Sequence, residues 1–159
     1  FDQMEAEPAV VHNAHYLAEV LGVVAAAHRA WKDGFLFDVR QVVSAEVLGS
    51  LTDKADALFK ADYVIGAACV AGAALEQAMR QLAEQLQVPG IDFSNTNINK
   101  LNDALVKAGT YDKNMHKRIT AVAGVRNEAA HGHVDKVKRD DVEDMLRFVP
   151  RFLADHLGT

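Results

Sequence analysis

The sequence predicts an all-α protein, a helical bundle of about five helices. Three observations indicate this class. Alanine is abundant and aromatic residues are few, which favours helices that pack closely through small side chains. Glycine and proline number only 10 and 3 among 159 residues, so few segments are interrupted. Apolar residues recur at helical spacing along most of the chain, which is long enough to bury a core.

The first 43 residues differ from the rest. Pro8 suits the first turn of a helix that runs to about Lys32. The next stretch, FLFDVRQVV (35–43), is β-branched and aromatic, and predicts either a short strand or the start of the following helix. The chain opens FDQME, with phenylalanine rather than an initiator methionine at position 1. We therefore interpret residues 1–43 as an N-terminal helical extension or lead-in from a longer protein, and residues 44–159 as the main helical domain.

Two helices are predicted next. Ser44 can cap a helix that runs to about Phe59. A long helix then begins near Asp62 and ends at about Gln87, before a Pro-Gly pair. The middle of the long helix, GAACVAGAA (66–74), is nearly all small residues, so another helix can approach it closely.

A short helix over about 98–108 leads to the segment of greatest interest. Asp112 opens a further helix, and Gly132 can end it as the residue after the cap. The stretch HVDKVKR (133–139) predicts a loop.

The last helix runs to about His156, with a kink expected at Pro150. Asp140 and Glu143 have the spacing of a capping box, although Lys138 lies nearer to the start of the helical pattern.

Composition excludes several functional classes. The net charge of −5 argues against a protein that coats nucleic acid regardless of sequence, although it leaves room for a local basic site. Cys69 is the only cysteine, which excludes a disulfide within the chain and fits a reducing, cytoplasmic location. The most apolar N-terminal run, residues 17–31, is too short and too polar to span a membrane. Phosphate-cradling glycine motifs are absent from the sequence, and we expect no cofactor.

The stretch AGVRNEAAHGH, residues 123–133, places Arg126, Asn127 and His131 near the end of one helix. Helical geometry puts two sets of residues on different faces of it. The core face holds Ile119, Val122, Val125 and Ala129. The polar stripe holds Lys113, His116, Thr120, Asn127 and His131, with Ala123 and Gly124 between them.

Arg126 and His131 are five residues apart, about 140° around a straight helix. They converge only if the helix end unwinds, which Gly132 makes easy, or if a partner surface brings them together.

The chemistry of these three side chains suits metal-free cleavage of a phosphodiester. A guanidinium matches the geometry of a phosphate, and a neutral imidazole exchanges protons near neutral pH. Such a site acts on a ribose 2′-OH, which implies RNA. A structural interpretation stays open, in which Arg126 pairs with Glu76 or Glu128 and His131 caps backbone carbonyls. The run His131-Gly132-His133 lacks enough further ligands for a metal site, so none is expected.

The sequence RNEAAH (126–131) matches the R-x4–6-H motif of the HEPN superfamily, including the polar residue after the arginine. Segments 45–63, 71–84, 98–133 and 140–153 also resemble, in order, a bacterial HEPN-like domain. The resemblance extends over about 44–157. Residues 1–43 have no counterpart in it, and Pro150 falls where an unbroken helix is typical.

The resemblance implies an all-α, HEPN-like domain that forms a homodimer. In HEPN toxins and defence nucleases, the arginine and histidine of both chains cut RNA without metal. By motif match these roles fall on Arg126 and His131, with Asn127 in support. Other HEPN domains are catalytically silent and serve as dimerisation or partner-binding modules, which is the alternative here. An antitoxin or a larger defence protein is the expected partner.

Further residues are expected to assist this site. Glu76, Glu128 and His133 are assigned supporting roles, with Glu76 either orienting Arg126 or simply pairing with Arg80. Basic residues on both sides of the motif are expected to bind phosphates: Lys113, Lys117, Arg118, Lys136, Lys138 and Arg139.

Overall fold

This computed structural model of the chain describes residues 20–26, 28, 29, 32, 35–93 and 96–158. Contacts between residues divide the chain into two units, 1–43 and 44–159. The described residues form helices and turns and contain no strand, which confirms the all-α class. Within the first unit, residues 20–26, 28, 29 and 32 are helical, and the rest of the helix predicted over 8–32 lies outside the described residues.

Five helices follow along the chain, with a 3₁₀ turn at Val134–Lys136 between the last two. They are α1 (Phe35–Lys60), α2 (Val64–Gln85), α3 (Ile98–Lys107), α4 (Lys113–Ala130) and α5 (Arg139–Leu157).

Helix α1 decides the alternative left open for residues 35–43, which are helical and not a strand. Ser44 therefore lies inside α1, and its prediction as a cap is wrong. The physical reason is that no proline or glycine interrupts the run before Gly49, so the β-branched residues continue one helix.

The turn between α1 and α2 also differs from the prediction. Asp62 has φ of 68°, and it belongs to the turn that ends α1 rather than to the start of α2. Its N–H donates to the carbonyl of Phe59, and the N–H of Tyr63 donates to the carbonyl of Leu58. These two bonds form a Schellman motif, so the carbonyls at the end of α1 are satisfied before α2 begins at Val64.

Helix α2 lies in the centre of the second unit and packs against α3, α4 and α5. Its inward face is made of small residues together with the fully buried Leu75 and Met79. The alanines at 67, 68, 71, 74 and 78 are also buried, as the run 66–74 predicts. Because these side chains are short, the backbones of neighbouring helices can approach α2 closely.

A buried amide joins α3 to α4. Asn102 is 1% exposed, and its Nδ2 donates to the carbonyl of His116 at 2.9 Å and to Thr120 Oγ1 at 3.1 Å. The hydroxyl of Tyr111 donates to Asn102 Oδ1 at 2.8 Å, and burial raises the pKa of Tyr111, with the charge of Asp103 adding to the effect. The network holds α3 along the N-terminal half of α4.

Helix α5 begins at Arg139, after Lys138 as its N-cap, and runs through Pro150 to Leu157. Of the two possibilities that the sequence left open, the structure shows Lys138 as the cap and not a capping box of Asp140 and Glu143, because Asp140 already lies in the first helical turn. An acidic residue is favourable there because it faces the positive end of the helix dipole.

The buried amide yields a stability prediction. Asn102→Ala removes three hydrogen bonds and leaves the hydroxyl of Tyr111 without its acceptor, so we expect a loss of about 2–4 kcal/mol in the free energy of unfolding. Urea denaturation followed by circular dichroism measures it. Asn114→Ala, on the exposed first turn of α4, is the matched control and should change stability by less than about 0.5 kcal/mol. Equal stability of the two variants would contradict the role of Asn102.

Candidate active site

Helix α4 carries the motif and is capped at both ends. Asp112 accepts hydrogen bonds from the N–H groups of Asn114 and Met115 at 3.0 and 2.8 Å, which confirms it as the cap. The helix stays regular to Ala130, and Gly132 follows with φ of 73°. The N–H of Gly132 donates to the Ala129 carbonyl. The chain therefore turns after His131 and does not unwind between Arg126 and His131.

The faces of α4 agree with the prediction except at one residue. Ile119, Val122 and Ala129 are buried, whereas Ala123, predicted in the open stripe, is fully buried as well. Gly124 is exposed, and a Cβ added there would meet nothing within 4 Å among the described residues.

The polar stripe is therefore open mainly in its C-terminal half. Its N-terminal half lies beside α3, where Asn102 bonds to Thr120 and the carbonyl of His116. His116 itself faces Asp103, at 2.8 Å from Nε2 to Oδ1.

Arg126 crosses α2 at Gly72. A Cβ added to Gly72 would lie 2.2 Å from Cγ and 2.7 Å from Cβ of Arg126, and 3.3 Å from Cε of Met145. Cβ and Cγ are close to the α4 backbone, so they cannot swing aside as the tip of a flexible side chain does. A side chain at residue 72 is therefore compatible with this fold only if α2 and α4 move apart.

The guanidinium of Arg126 is held by two oxygen acceptors. Nη2 donates to Glu76 Oε2 at 3.4 Å, and Nη1 donates to Asn127 Oδ1 at 3.3 Å. Both bonds are at the long end of the hydrogen-bond range, and the side chain is 33% exposed. A guanidinium has five N–H donors, and the described residues offer Arg126 side-chain acceptors for two of them.

Glu76 is fixed in turn by Arg80. Nη2 of Arg80 donates to Glu76 Oε1 at 2.9 Å, and the same side chain donates to the carbonyls of Phe93 and Thr96 in the loop after α2. With Arg126 included, the three charged side chains have a net charge of +1. Of the partners that the sequence left open for Arg126, the structure shows Glu76 and not Glu128.

Two histidine rings lie together beyond the end of α4. The ring of His131 is exposed and stacks on that of His133, with centroids 6.0 Å apart and planes at 30°. Nδ1 of His133 lies 2.6 Å from Glu128 Oε2, to which Nζ of Lys136 also comes within 3.4 Å. The hydrogen bond from His133, followed by the positive charge of Lys136, lowers the pKa of Glu128. The ring nitrogens of His131 make no hydrogen bond with any described residue, so this side chain does not cap the helix.

The structure keeps Arg126 and His131 apart in one chain. No hydrogen bond or ring contact joins them among the described residues, and Arg126 turns towards α2 while His131 stacks on His133. The candidate residues therefore form two separate groups at one end of α4, which we call the arginine half (Arg126 with Glu76 and Asn127) and the histidine half (His131 and His133 with Glu128).

The basic residues predicted to bind phosphates are dispersed. Lys113 and Lys117 lie in the first part of α4, and Lys113 is about 20 Å along the axis from Arg126 at 1.5 Å per residue. Arg118 lies over the ring of Phe148, at 4.6 Å.

The basic residues that follow the motif form ion pairs or begin helix α5. Lys136 pairs with Glu128, and Lys138 is the N-cap of α5. Arg139 pairs with Asp62 at 2.6 Å and stacks on Phe59. Lys136 is thus the member of the predicted set that the structure brings beside the histidines.

The sequence predicted close helix packing along residues 66–74 but did not single out Gly72 as the place where Arg126 crosses. Gly72 and Glu76 are four residues apart on α2 and therefore share a face, which was the available signal. The signal was hidden because nearly all of the run 66–74 consists of small residues, which suit close helix packing equally well.

A family model of a domain of unknown function, DUF4145, matches residues 53–156. The chain belongs to the DUF4145 family. The match extends from α1 into α5 and includes the whole motif helix. Comparisons with curated proteins and with solved structures found no match.

Two further observations concern the described part of the DUF4145 chain. None of its helices is long and apolar enough to cross a bilayer. Its His, Cys, Asp and Glu side chains form no group of three or more that could hold a metal ion.

Gly72 yields a prediction with a built-in control. Gly72→Ala forces Arg126 away from α2, so we expect the free energy of unfolding to fall by about 1–3 kcal/mol. Gly124→Ala adds the same methyl group to α4 where space is open, and should stabilise the protein by up to about 1 kcal/mol. Thermal and urea unfolding of both variants measure the difference. A Gly72→Ala protein as stable as Gly124→Ala would refute the packing of Arg126 across Gly72.

Proposed function

We propose that this DUF4145 domain is a HEPN-like, metal-independent endoribonuclease that acts as a toxin or defence effector in the cytoplasm. The supporting observation is the charged cluster at the crossing of α2 and α4. Glu76 and Asn127 hold Arg126 by two long hydrogen bonds, which leave its other guanidinium donors without a side-chain acceptor among the described residues, and the exposed His131 follows at the end of the same helix.

The chemistry begins at a ribose 2′-OH. The imidazole of His131 removes the hydroxyl proton while the 2′-oxygen attacks the adjacent phosphorus. Arg126 binds the non-bridging oxygens, whose negative charge grows in the transition state. Asn127 is a positioning residue, because its amide oxygen accepts from Arg126 and so sets the direction of the guanidinium. The products are a 2′,3′-cyclic phosphate and a 5′-hydroxyl.

A second copy of the chain completes the proposed site. Among the described residues of one chain, no hydrogen bond or ring contact joins Arg126 to His131, and α4 continues without a break from Arg126 to Ala130. Gly124 leaves the helix surface open on the C-terminal half of the stripe, so another α4 can pack there. Arg126 of one subunit then approaches His131 of the other.

The second candidate function is a catalytically silent HEPN module that dimerises or binds a partner, such as an antitoxin or a larger defence protein. The observation in its favour is that Glu76 already neutralises part of the charge of Arg126. A net charge of −5 for the chain also disfavours binding of long RNA.

Cleavage of RNA distinguishes the two functions. The wild-type protein should cut single-stranded RNA in the presence of EDTA and leave 2′,3′-cyclic ends. Arg126→Ala and His131→Ala should each lower the rate by about 10²-fold or more, because each removes a group that acts in the transition state. Asn127→Ala should lower it less. Gel assays with end-group analysis measure both the rate and the product.

Thermal unfolding of the same variants is the control for this assay. A requirement for magnesium, or cleavage that survives both substitutions in folded protein, excludes the mechanism. A wild type that is inactive on many RNAs supports the silent module.

The dimer has its own test. Light scattering at micromolar concentration should give about twice the chain mass of 17.3 kDa. Gly124→Arg places a long cation where the second helix packs, so it should produce monomers and abolish cleavage, whereas Gly124→Ala should leave the dimer intact. Gly124 is a better position for this substitution than Thr120 on the same stripe, because the hydroxyl of Thr120 accepts a hydrogen bond from Asn102 and a change there would also disturb the fold. A monomeric wild type, or a dimer that tolerates Gly124→Arg, rules out this interface.

A further inference from the structure

The proposed cleavage needs a proton donor as well as a proton acceptor. When the 2′-oxygen forms its bond to phosphorus, the bond from phosphorus to the 5′-oxygen breaks, and that oxygen leaves as a strongly basic alkoxide unless it is protonated. Arg126 is a poor donor because a guanidinium does not give up its proton at neutral pH. A second imidazole beside His131 would supply the missing group.

We infer that His133, held by Glu128, is the general acid that protonates the leaving 5′-oxygen. This inference rests on the function proposed above. Its basis is the pair of stacked rings beyond α4, at 6.0 Å between centroids, close enough for both to hydrogen-bond to oxygens of one phosphodiester.

Glu128 determines which nitrogen of His133 is available. An ionised carboxylate only accepts hydrogen bonds, so the 2.6 Å contact with Glu128 Oε2 requires a hydrogen on Nδ1 of His133. In the protonated ring, Nδ1–H forms a salt bridge with Glu128, and Nε2–H remains free to donate. The pKa of Glu128 is lowered, chiefly by this hydrogen bond, so its carboxylate stays charged at neutral pH.

A backbone hydrogen bond also joins His133 to Glu128. The N–H of His133 donates to the carbonyl of Glu128 at 2.9 Å, which is one of the two hydrogen bonds that close the helix. The same two residues are therefore joined through both backbone and side chains. The other charged or titratable groups that face His133 are Lys136, which shares the carboxylate, and the ring of His131.

The protons balance over one catalytic cycle. His131 takes the proton of the 2′-OH, and His133 gives a proton from Nε2 to the 5′-oxygen, so the products are the cyclic phosphate and a free 5′-hydroxyl. The two rings then regain their starting protonation by exchange with water. Glu128 is a positioning residue, since it acts through His133.

An activated substrate tests the role of a general acid. Uridine 3′-(4-nitrophenyl phosphate) releases nitrophenolate, which leaves without a proton, whereas an RNA oligonucleotide needs one. On the oligonucleotide, His133→Ala should lower kcat by about 10²-fold or more, and the fall in rate at alkaline pH should disappear from its pH profile. On the nitrophenyl ester, the same variant should keep the wild-type rate. His131→Ala should lose activity on both substrates.

Variants of Glu128 provide a second line of evidence. Glu128→Gln should lower the rate of oligonucleotide cleavage, though less than His133→Ala does, and should leave the rate on the nitrophenyl ester unchanged. Glu128→Asp should recover part of the rate lost on the oligonucleotide. His116→Ala is the matched control, because His116 also pairs with a carboxylate, at 2.8 Å, but near the other end of α4. It should leave both rates unchanged.

The outcomes separate the inference from the function on which it rests. A wild type that cleaves neither substrate removes the proposed function and the inference together. A wild type active on both, with His133→Ala unimpaired on the oligonucleotide, overturns the inference alone. The inference is also overturned if folded His133→Ala loses equally on both substrates, or if Glu128→Gln matches wild type on the oligonucleotide.

Discussion

The passage of Arg126 across Gly72 is the contact on which the rest of the site depends. It requires a residue without a side chain on α2, and it directs the arginine from α4 towards Glu76. A cation that is half-buried needs a compensating charge, and Glu76 supplies it. Because Arg80 binds Glu76 and two loop carbonyls, the position of Arg126 is linked to the loop between α2 and α3.

The end of α4 poses a second electrostatic problem. The C-terminal end of a helix carries a partial negative charge, which repels a phosphate. Lys136 and the rings of His131 and His133 lie around this end. The N–H groups of Gly132 and His133 donate to the carbonyls of Ala129 and Glu128, so two of the last carbonyls of α4 are satisfied by a Schellman motif. Glu128 Oε2 contacts both Nδ1 of His133 and Nζ of Lys136, which keeps these two side chains close to the turn.

The two candidate functions of this DUF4145 domain differ in what completes the site. A nuclease needs the arginine half of one chain to meet the histidine half of another, because a straight helix separates them within a chain. A silent module needs only the open surface around Gly124. The same α4 surface therefore serves both functions, and what distinguishes them is whether the charges of Arg126 and the histidines act on one phosphate.

The sequence by itself determined the helical class, the cap at Asp112 and the turn at Gly132, since helical periodicity and the preferences of capping residues are local properties. It also singled out Arg126 and His131, because their spacing matches a known motif. Only the tertiary structure decided that residues 35–43 are helical, that Ala123 is buried and that Gly72 accommodates Arg126. The pairing of His133 with Glu128 and the dispersal of the basic residues likewise became visible only in three dimensions. These features depend on which helix lies against which face of another. That arrangement is determined by packing between residues distant in the chain, such as Gly72 and Arg126. A local sequence pattern contains no information about such contacts.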